Sequence, residues 1–153
     1  MGQNSGKLTQ LGLKVNRTAA DVFDGTTTAL FTIAGGRVLL THIEAEVTGA
    51  AVDVATSNTK FVFNPTVGTD LDLCAVLDIT GDIVGAIYTI TGTFSDALTG
   101  GIGGGAVGMS NSVILPEGTL DLSSSADAGT GGALGKFEIW YLPLDAGATI
   151  VVV

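Results

Sequence analysis

Charged residues are scarce in this sequence, and basic residues are the scarcest. Charged residues make up 14% of the 153 residues, against about 25% in an average soluble domain. Six Lys and Arg stand against 15 Asp and Glu, so the formal net charge at pH 7 is −9. Because affinity for duplex nucleic acid depends largely on Lys and Arg that neutralise phosphates, this composition argues against a nucleic-acid partner.

Cysteine and histidine each occur once, as Cys74 and His42. One thiol cannot form an internal disulfide, which argues against a secreted disulfide scaffold. One histidine cannot form a two-histidine metal site, and a catalytic dyad would need Cys74 or a serine beside that histidine. We therefore expect a protein that is not an enzyme and that holds no metal or other cofactor.

Long hydrophobic runs are absent as well. Although 46% of the residues are hydrophobic, no apolar run approaches the 18 or more residues of a membrane-spanning helix. The N-terminal stretch MGQNSGKLTQLGLKV also lacks the continuous apolar segment of a signal peptide. We expect a protein that is assembled in the cytoplasm without a membrane partner, and whose apolar residues fill a β core or contacts between subunits.

What the sequence does contain is the alternation of apolar and polar residues that is typical of β-strands. In RVLLTHIEAEV, one face would hold Leu39, Thr41, Ile43, Ala45 and Val47, and the other Val38, Leu40, His42, Glu44 and Glu46. Similar segments recur between turns, and the 23 glycines suit tight turns. The pattern predicts an all-β, single-domain sandwich or barrel, jelly-roll-like, with about eight or nine short strands.

Aspartates dominate one face of a further predicted strand, DLDLCAVLDI. Asp70, Asp72, Cys74 and Asp78 would share that face, and Asp82 lies in the following turn. Carboxylates near the thiol would raise its pKa, which disfavours a nucleophile. The aspartates offer the oxygen ligands that calcium prefers, but not the spacing of a calcium-binding loop, so a solvated strand face is favoured over structural calcium.

The basic residues are concentrated near the N-terminus. Lys7, Lys14 and Arg17 lie in the first 20 residues, which contain no acid, so the rest of the chain carries three basic and 15 acidic residues. We predict an extended N-terminal arm over residues 1–20 and a β-sandwich or barrel domain over residues 21–153. A basic arm on an acidic body suits contact with an acidic neighbour, including a second copy, although a solvated tail would have the same composition.

Aromatic residues near the C-terminus give two further candidates for contact with a partner. In KFEIWYLPL, strand alternation places Trp140 and Tyr141 on opposite faces. One of the two should anchor the core, and the other should face a partner chain, where large aromatic residues are favoured. Together with Lys7, Lys14 and Arg17, they are the candidate interaction residues.

A glycine-rich stretch, LTGGIGGGAVGMSNS, contains the G-x-G-x-x-G spacing at Gly103, Gly105 and Gly108. A dinucleotide-binding loop with that spacing needs a helix that starts within it, because the helix N-terminus holds the phosphates. The residues that follow, MSNSVILPEGTL, contain a proline and turn-forming residues instead of an amphipathic helix. We therefore expect a flexible loop between strands and no nucleotide site.

The order of three segments resembles a family of tailed-bacteriophage head decoration proteins. These segments are NPTVGTDLDLCA, LPEGTLDL and WYLPLD, and the resemblance covers roughly residues 29–150. It implies a capsid-cementing protein, likewise without catalytic motifs. Such a protein would form a homotrimer on the outer capsid surface of the virion, bind the major capsid protein and stabilise the shell.

Two other functions compete with capsid decoration. A phage tail or fibre module that recognises a host-surface glycan or protein would use the same kind of β fold. A β-fold hydrolase would need His42 and the Asp70–Asp72 carboxylate pair to act together. The sequence favours the decoration protein over both.

Overall fold

The computed structural model describes residues 12–52, 57–101, 105–127 and 133–153, and within these ranges the chain is all-β. These ranges contain no helix that could cross a membrane. The strands are β1 (Leu13–Ala20), β2 (Thr27–Ala34), β3 (Val38–Gly49), β4 (Asn58–Pro65), β5 (Leu71–Asp72), β6 (Leu77–Asp78), β7 (Ile87–Thr89), β8 (Thr99–Gly101), β9 (Val113–Leu115), β10 (Gly118–Ser124), β11 (Ala133–Pro143) and β12 (Thr149–Val152).

These strands form two antiparallel sheets that pack as a β-sandwich. Sheet one has the order β1-β11-β3-β7-β8, with β9 also paired to β3. Sheet two has the order β12-β2-β10-β4-β5, with β6 also paired to β4. Long strands that are neighbours in the sequence lie in opposite sheets: β1, β3 and β11 are in sheet one, and β2, β4 and β10 are in sheet two. This is the strand order of a jelly roll. The predicted fold class is confirmed.

Aromatic side chains from both sheets fill the space between them. Phe61 of β4 and Phe137 of β11 are each fully buried. Their ring centroids lie 6.3 Å apart with the rings nearly perpendicular, at 81°. Edge-to-face packing of this kind is favoured by the charge distribution of aromatic rings. This pair therefore links sheet one to sheet two within the core.

A β-bulge in β3 changes the faces that alternation predicts for this strand. Trp140 pairs with His42, and Tyr141 pairs with Leu40, so Thr41 is the extra residue. Leu40 is consequently buried and Leu39 lies on the outer face, the reverse of the prediction. From Ile43 onward the predicted faces are correct. The prediction failed before the bulge because one inserted residue exchanges the two faces of a strand.

The predicted strand over residues 70–79 is divided into the short strands β5 and β6. Between them, the N–H of Ala75 donates to the carbonyl of Asp96, and Leu98 donates back to Ala75. The backbone at Ala75 therefore leaves β4 and bonds with a loop of the other sheet. This division, the very short β8 and strand β1, which lies within the predicted arm, raise the number of strands from the predicted eight or nine to twelve in the described residues.

The predicted N-terminal arm is described only in part. Residues 1–11, which include Lys7, lie outside the described residues. Leu13–Ala20 is β1, which pairs with β11 as the edge strand of sheet one. The described part of the predicted arm is thus an extended strand of the sandwich.

Candidate interaction surface

Two of the predicted interaction residues meet on the outer face of sheet one. Lys14 and Trp140 are cross-strand partners between β1 and β11, and Trp140 pairs on its other side with His42 of β3. Lys14 Nζ lies 4.6 Å from the centroid of the indole ring, within the range of a cation–π interaction. The imidazole centroid lies 5.0 Å from the indole ring. The half-buried indole is therefore flanked by an ammonium group and an imidazole.

Two glutamates complete this group, which we call the Trp140 cluster: Lys14, His42, Glu44, Glu138 and Trp140. Lys14 Nζ lies 2.5 Å from Glu138 Oε2, and His42 Nε2 lies 3.3 Å from Glu44 Oε2. Partial burial raises the pKa of Glu138, but contacts that favour its charged form, chiefly with Lys14, outweigh that effect and hold the pKa below its ordinary value. Glu138 thus stays ionised although Glu44 lies directly opposite it in the β-ladder.

An apolar row lies beside the Trp140 cluster on the same face. Leu142 of β11 pairs with Leu39 of β3, and Leu39 pairs in turn with Ile114 of β9. Ile114 is 60% exposed. The outer face of sheet one therefore combines a tryptophan, an apolar row and charged groups of both signs. This is the mixture of an aromatic centre, apolar contacts and a polar surround that is typical of protein–protein interfaces.

Tyr141 and Arg17 face the interior instead. Tyr141 is only 4% exposed, so it is the aromatic residue that anchors the core, as predicted for one of the pair. Arg17 lies opposite Phe137 in the β1–β11 ladder, and its Nε and Nη1 atoms are buried, with no hydrogen-bond partner among the described residues. The structure thus separates Arg17 and Tyr141 from the Trp140 cluster.

Sequence reasoning missed three apolar members of this surface: Leu39, Leu142 and Ile114. Leu39 was predicted to share a face with Ile43, because the alternation gave no sign of the bulge at Thr41. The polar face of β3 was recognisable in the sequence, because His42, Glu44 and Glu46 alternate with apolar residues. What the sequence could not provide was the pairing of β3 with β11, which brings Trp140 to His42.

The residues considered for catalysis or metal binding lie apart. His42 is on the outer face of sheet one, whereas Cys74 is buried in the core. Asp72 Oδ2 lies 2.6 Å from Lys60 Nζ, and Asp82 accepts a hydrogen bond from the Tyr88 hydroxyl. In the described part of the chain, no three His, Cys, Asp or Glu side chains are placed to hold a metal ion together.

Cys74 differs from its predicted setting on a solvated aspartate face. Its side chain is 1% exposed, and the backbone N–H of Phe61 donates to its sulfur at 3.4 Å. Burial is the main cause that raises the pKa of the thiol from 9.0 to about 11, and the nearby Asp72 adds to it. The expected direction of the shift is confirmed, but its principal cause is desolvation rather than the carboxylates.

We predict that Cys74 resists alkylation in the folded protein. At pH 8, a rise of two pKa units alone lowers the thiolate population about 100-fold, and burial restricts access further. Iodoacetamide labelling, followed by mass spectrometry, should therefore be at least about 100-fold slower in buffer than in concentrated urea. Equal rates in the two conditions would contradict the buried position.

The glycine-rich stretch leads into a strand. Residues 102–104, which include Gly103, lie outside the described residues. Gly108 lies near His42, since a Cβ built on this glycine would be 3.6 Å from the imidazole Cε1. The next regular element is β9, so the helix that a dinucleotide-binding loop requires does not follow.

Comparison of the chain with protein-family models, with curated proteins and with solved structures gave no significant match.

Proposed function

We propose that this protein is a head decoration protein of a tailed bacteriophage, which binds the outer surface of the capsid and stabilises it. The resemblance of NPTVGTDLDLCA, LPEGTLDL and WYLPLD to that family supports the assignment. It also implies a homotrimer that contacts the major capsid protein. The jelly-roll sandwich is compatible with this role, although the same fold serves many other functions.

The observation that carries the proposal is the position of Trp140 on an open sheet face. Tryptophan is the residue type most enriched among those that dominate binding energy, particularly near the centre of an interface. Here it lies between the charged side chains of the Trp140 cluster and the apolar row of Leu39, Leu142 and Ile114. The outer face of sheet one is therefore the surface that we assign to contact with the capsid.

A stability assay on capsids tests the function itself. Because a ligand that binds only the assembled shell stabilises it by mass action, capsids that carry the protein should withstand heat and low salt better than capsids without it. Adding the purified protein back to depleted capsids should restore that resistance. Equal resistance with and without the protein would refute a cementing role.

Replacing Trp140 with alanine should weaken capsid binding about 30-fold or more, which corresponds to the loss of about 2 kcal/mol at a dominant interface residue. Co-sedimentation of the protein with capsids measures the effect. Val67→Ala is the matched control, since Val67 is apolar, 87% exposed and in the connection that follows β4 of sheet two. Ile114→Lys, which alters the same face at an exposed site, should also weaken binding if Trp140→Ala proves unstable.

Antibody labelling of virions separates decoration from the alternative. A uniform signal over the head supports the decoration protein. A signal confined to the tail tip would instead support a tail or fibre module that recognises a host-surface glycan or protein.

A further inference from the structure

One sheet edge, β12, has less protection from pairing with another chain than the other edges. Natural proteins protect such edges with short strands, charged residues, prolines or bulges. Strands β5, β6, β8 and β9 have three residues or fewer. Strand β1 carries Lys14 and Arg17, and its register with β11 shifts after Arg17. Strand β12, Thr149–Val152, is longer, at four residues, has no charge, no proline and no glycine, and its register with β2 is unbroken.

The backbone of β12 has hydrogen-bonding groups that point away from β2. Val153 donates its N–H to the carbonyl of Leu30, and the same ladder pairs Val151 with Thr32. In an antiparallel ladder, alternate residues bond to the same neighbour, so the N–H and C=O groups of Ile150 and Val152 face the other side. In the described ranges, β1 of sheet one lies near that side, but no backbone hydrogen bond joins it to β12.

The side chains along this edge are apolar and accessible. Val151 is 51% exposed on the outer face of sheet two, and Val152 and Val153 are 42% and 61% exposed. The strand is also held in place, because Arg37 binds Asp145 in the turn that precedes it. The guanidinium Nε and Nη2 atoms and the backbone N–H of Arg37 all donate to that carboxylate, at 2.8–2.9 Å.

The spacing of these groups fits a second copy of the same strand as the partner. The outward-facing residues, Ile150 and Val152, lie at equal distances along the chain on either side of Val151. An antiparallel copy related by a twofold axis at Val151 would therefore pair each Ile150 with the opposite Val152, and each would find its hydrogen-bond partners. Val151 would lie directly opposite its own copy, where β-branched side chains pack well.

Charge favours the same partner. A chain with a formal net charge of −9 repels a second copy over much of its surface. Strands β2 and β12, which form this side of sheet two, contain no charged residue. Two copies can therefore approach here without bringing acidic side chains together.

We infer that β12 is a homotypic pairing edge, through which two copies join their second sheets across a twofold axis at Val151. This contact is independent of the capsid-binding face proposed above, which belongs to sheet one. It is also distinct from a threefold contact, so in a trimeric protein it would link neighbouring trimers.

Opposite charges at Val151 test the pairing. Val151→Lys places two ammonium groups opposite each other at the axis, and Val151→Glu places two carboxylates there. Each variant alone should raise the dissociation constant of the pair at least about tenfold, and light scattering should show the mass fall to that of the unpaired protein. Mixing the two variants should restore the mass, because Lys and Glu then face each other. Val107→Lys, at an 83% exposed valine, is the control and should leave the mass unchanged.

The mixture decides the outcome, provided that both variants keep the melting temperature of the unmodified chain. Recovery of the higher mass only in the mixture confirms the twofold pair. If the edge is instead occupied by residues 1–11 or by a strand of another protein, the mixture will behave like each variant alone, and the inference is wrong. An unchanged mass in Val151→Lys overturns it equally.

Discussion

Replacing Phe137 with alanine is expected to lower the free energy of unfolding by about 3–5 kcal/mol. The ring is fully buried and packs edge-to-face on Phe61, which belongs to the opposite sheet. Its removal would leave a cavity where sheet one and sheet two meet, and the surrounding structure would relax only in part. Since domains are commonly stable by about 5–15 kcal/mol, the loss would be a large share of the total.

Urea denaturation followed by tryptophan fluorescence measures this change. Phe61→Ala should cost a similar amount, and the double variant should show a coupling of about 0.5–1.5 kcal/mol, because the two rings contact each other. Val67→Ala, at an exposed site, should change the stability by less than about 0.5 kcal/mol. A loss of less than about 1 kcal/mol in Phe137→Ala would mean that the two sheets do not depend on this contact.

The all-β architecture was predictable because most of the long strands keep a regular alternation. Phe137, Ile139 and Tyr141, which the alternation in KFEIWYLPL places on one face, form the buried face of β11. The alternation of a strand is set by adjacent residues. The predicted faces are therefore correct wherever the strand pairs without a bulge or a break. The jelly-roll order is compatible with the sequence but does not follow from it, because it depends on which distant strands pair.

The predictions failed at two places where the backbone hydrogen bonds depart from a regular ladder with the neighbouring strand. At Thr41 an extra residue exchanges the two faces of β3, and the sequence contains no glycine or proline there to signal it. At Ala75 the backbone bonds to the loop around Asp96, which buries Cys74 rather than exposing it. Both features are set by long-range pairing, which propensity and alternation do not describe.

The interaction surface was predictable as a set of residue types but not as an arrangement. Lys14 and Trp140 were recognisable separately, one as part of a basic segment and the other as an aromatic residue in a strand. Their contact depends on the register between β1 and β11, strands that lie at opposite ends of the chain. The same register places Arg17 beside Phe137 on the buried face, which composition alone does not predict.

Replacing Gly92 with alanine is expected to destabilise the protein by at least about 2 kcal/mol. Gly92 has a φ of +86°, in the left-handed region that costs an L-residue roughly 1–2 kcal/mol. A Cβ at this position would also collide with the backbone carbonyl oxygen of Asn111. That carbonyl cannot easily move, because the N–H groups of Ser110 and Asn111 both donate to Thr91 at 3.0 Å.

Gly105→Ala gives the matched comparison, because it makes the same chemical change within the glycine-rich stretch. A Cβ at Gly105 would meet nothing within 4 Å, so its effect should stay within about 0.5 kcal/mol. Thermal or urea unfolding of both variants measures the difference, which should be at least about 1.5 kcal/mol given those two effects. Equal effects would contradict the tight packing of Gly92 on Asn111. A larger loss of stability in Gly92→Ala than in Gly105→Ala would show that the close packing lies at Thr91 and Gly92, where the end of the glycine-rich stretch forms its hydrogen bonds. Gly105 has no such close contact.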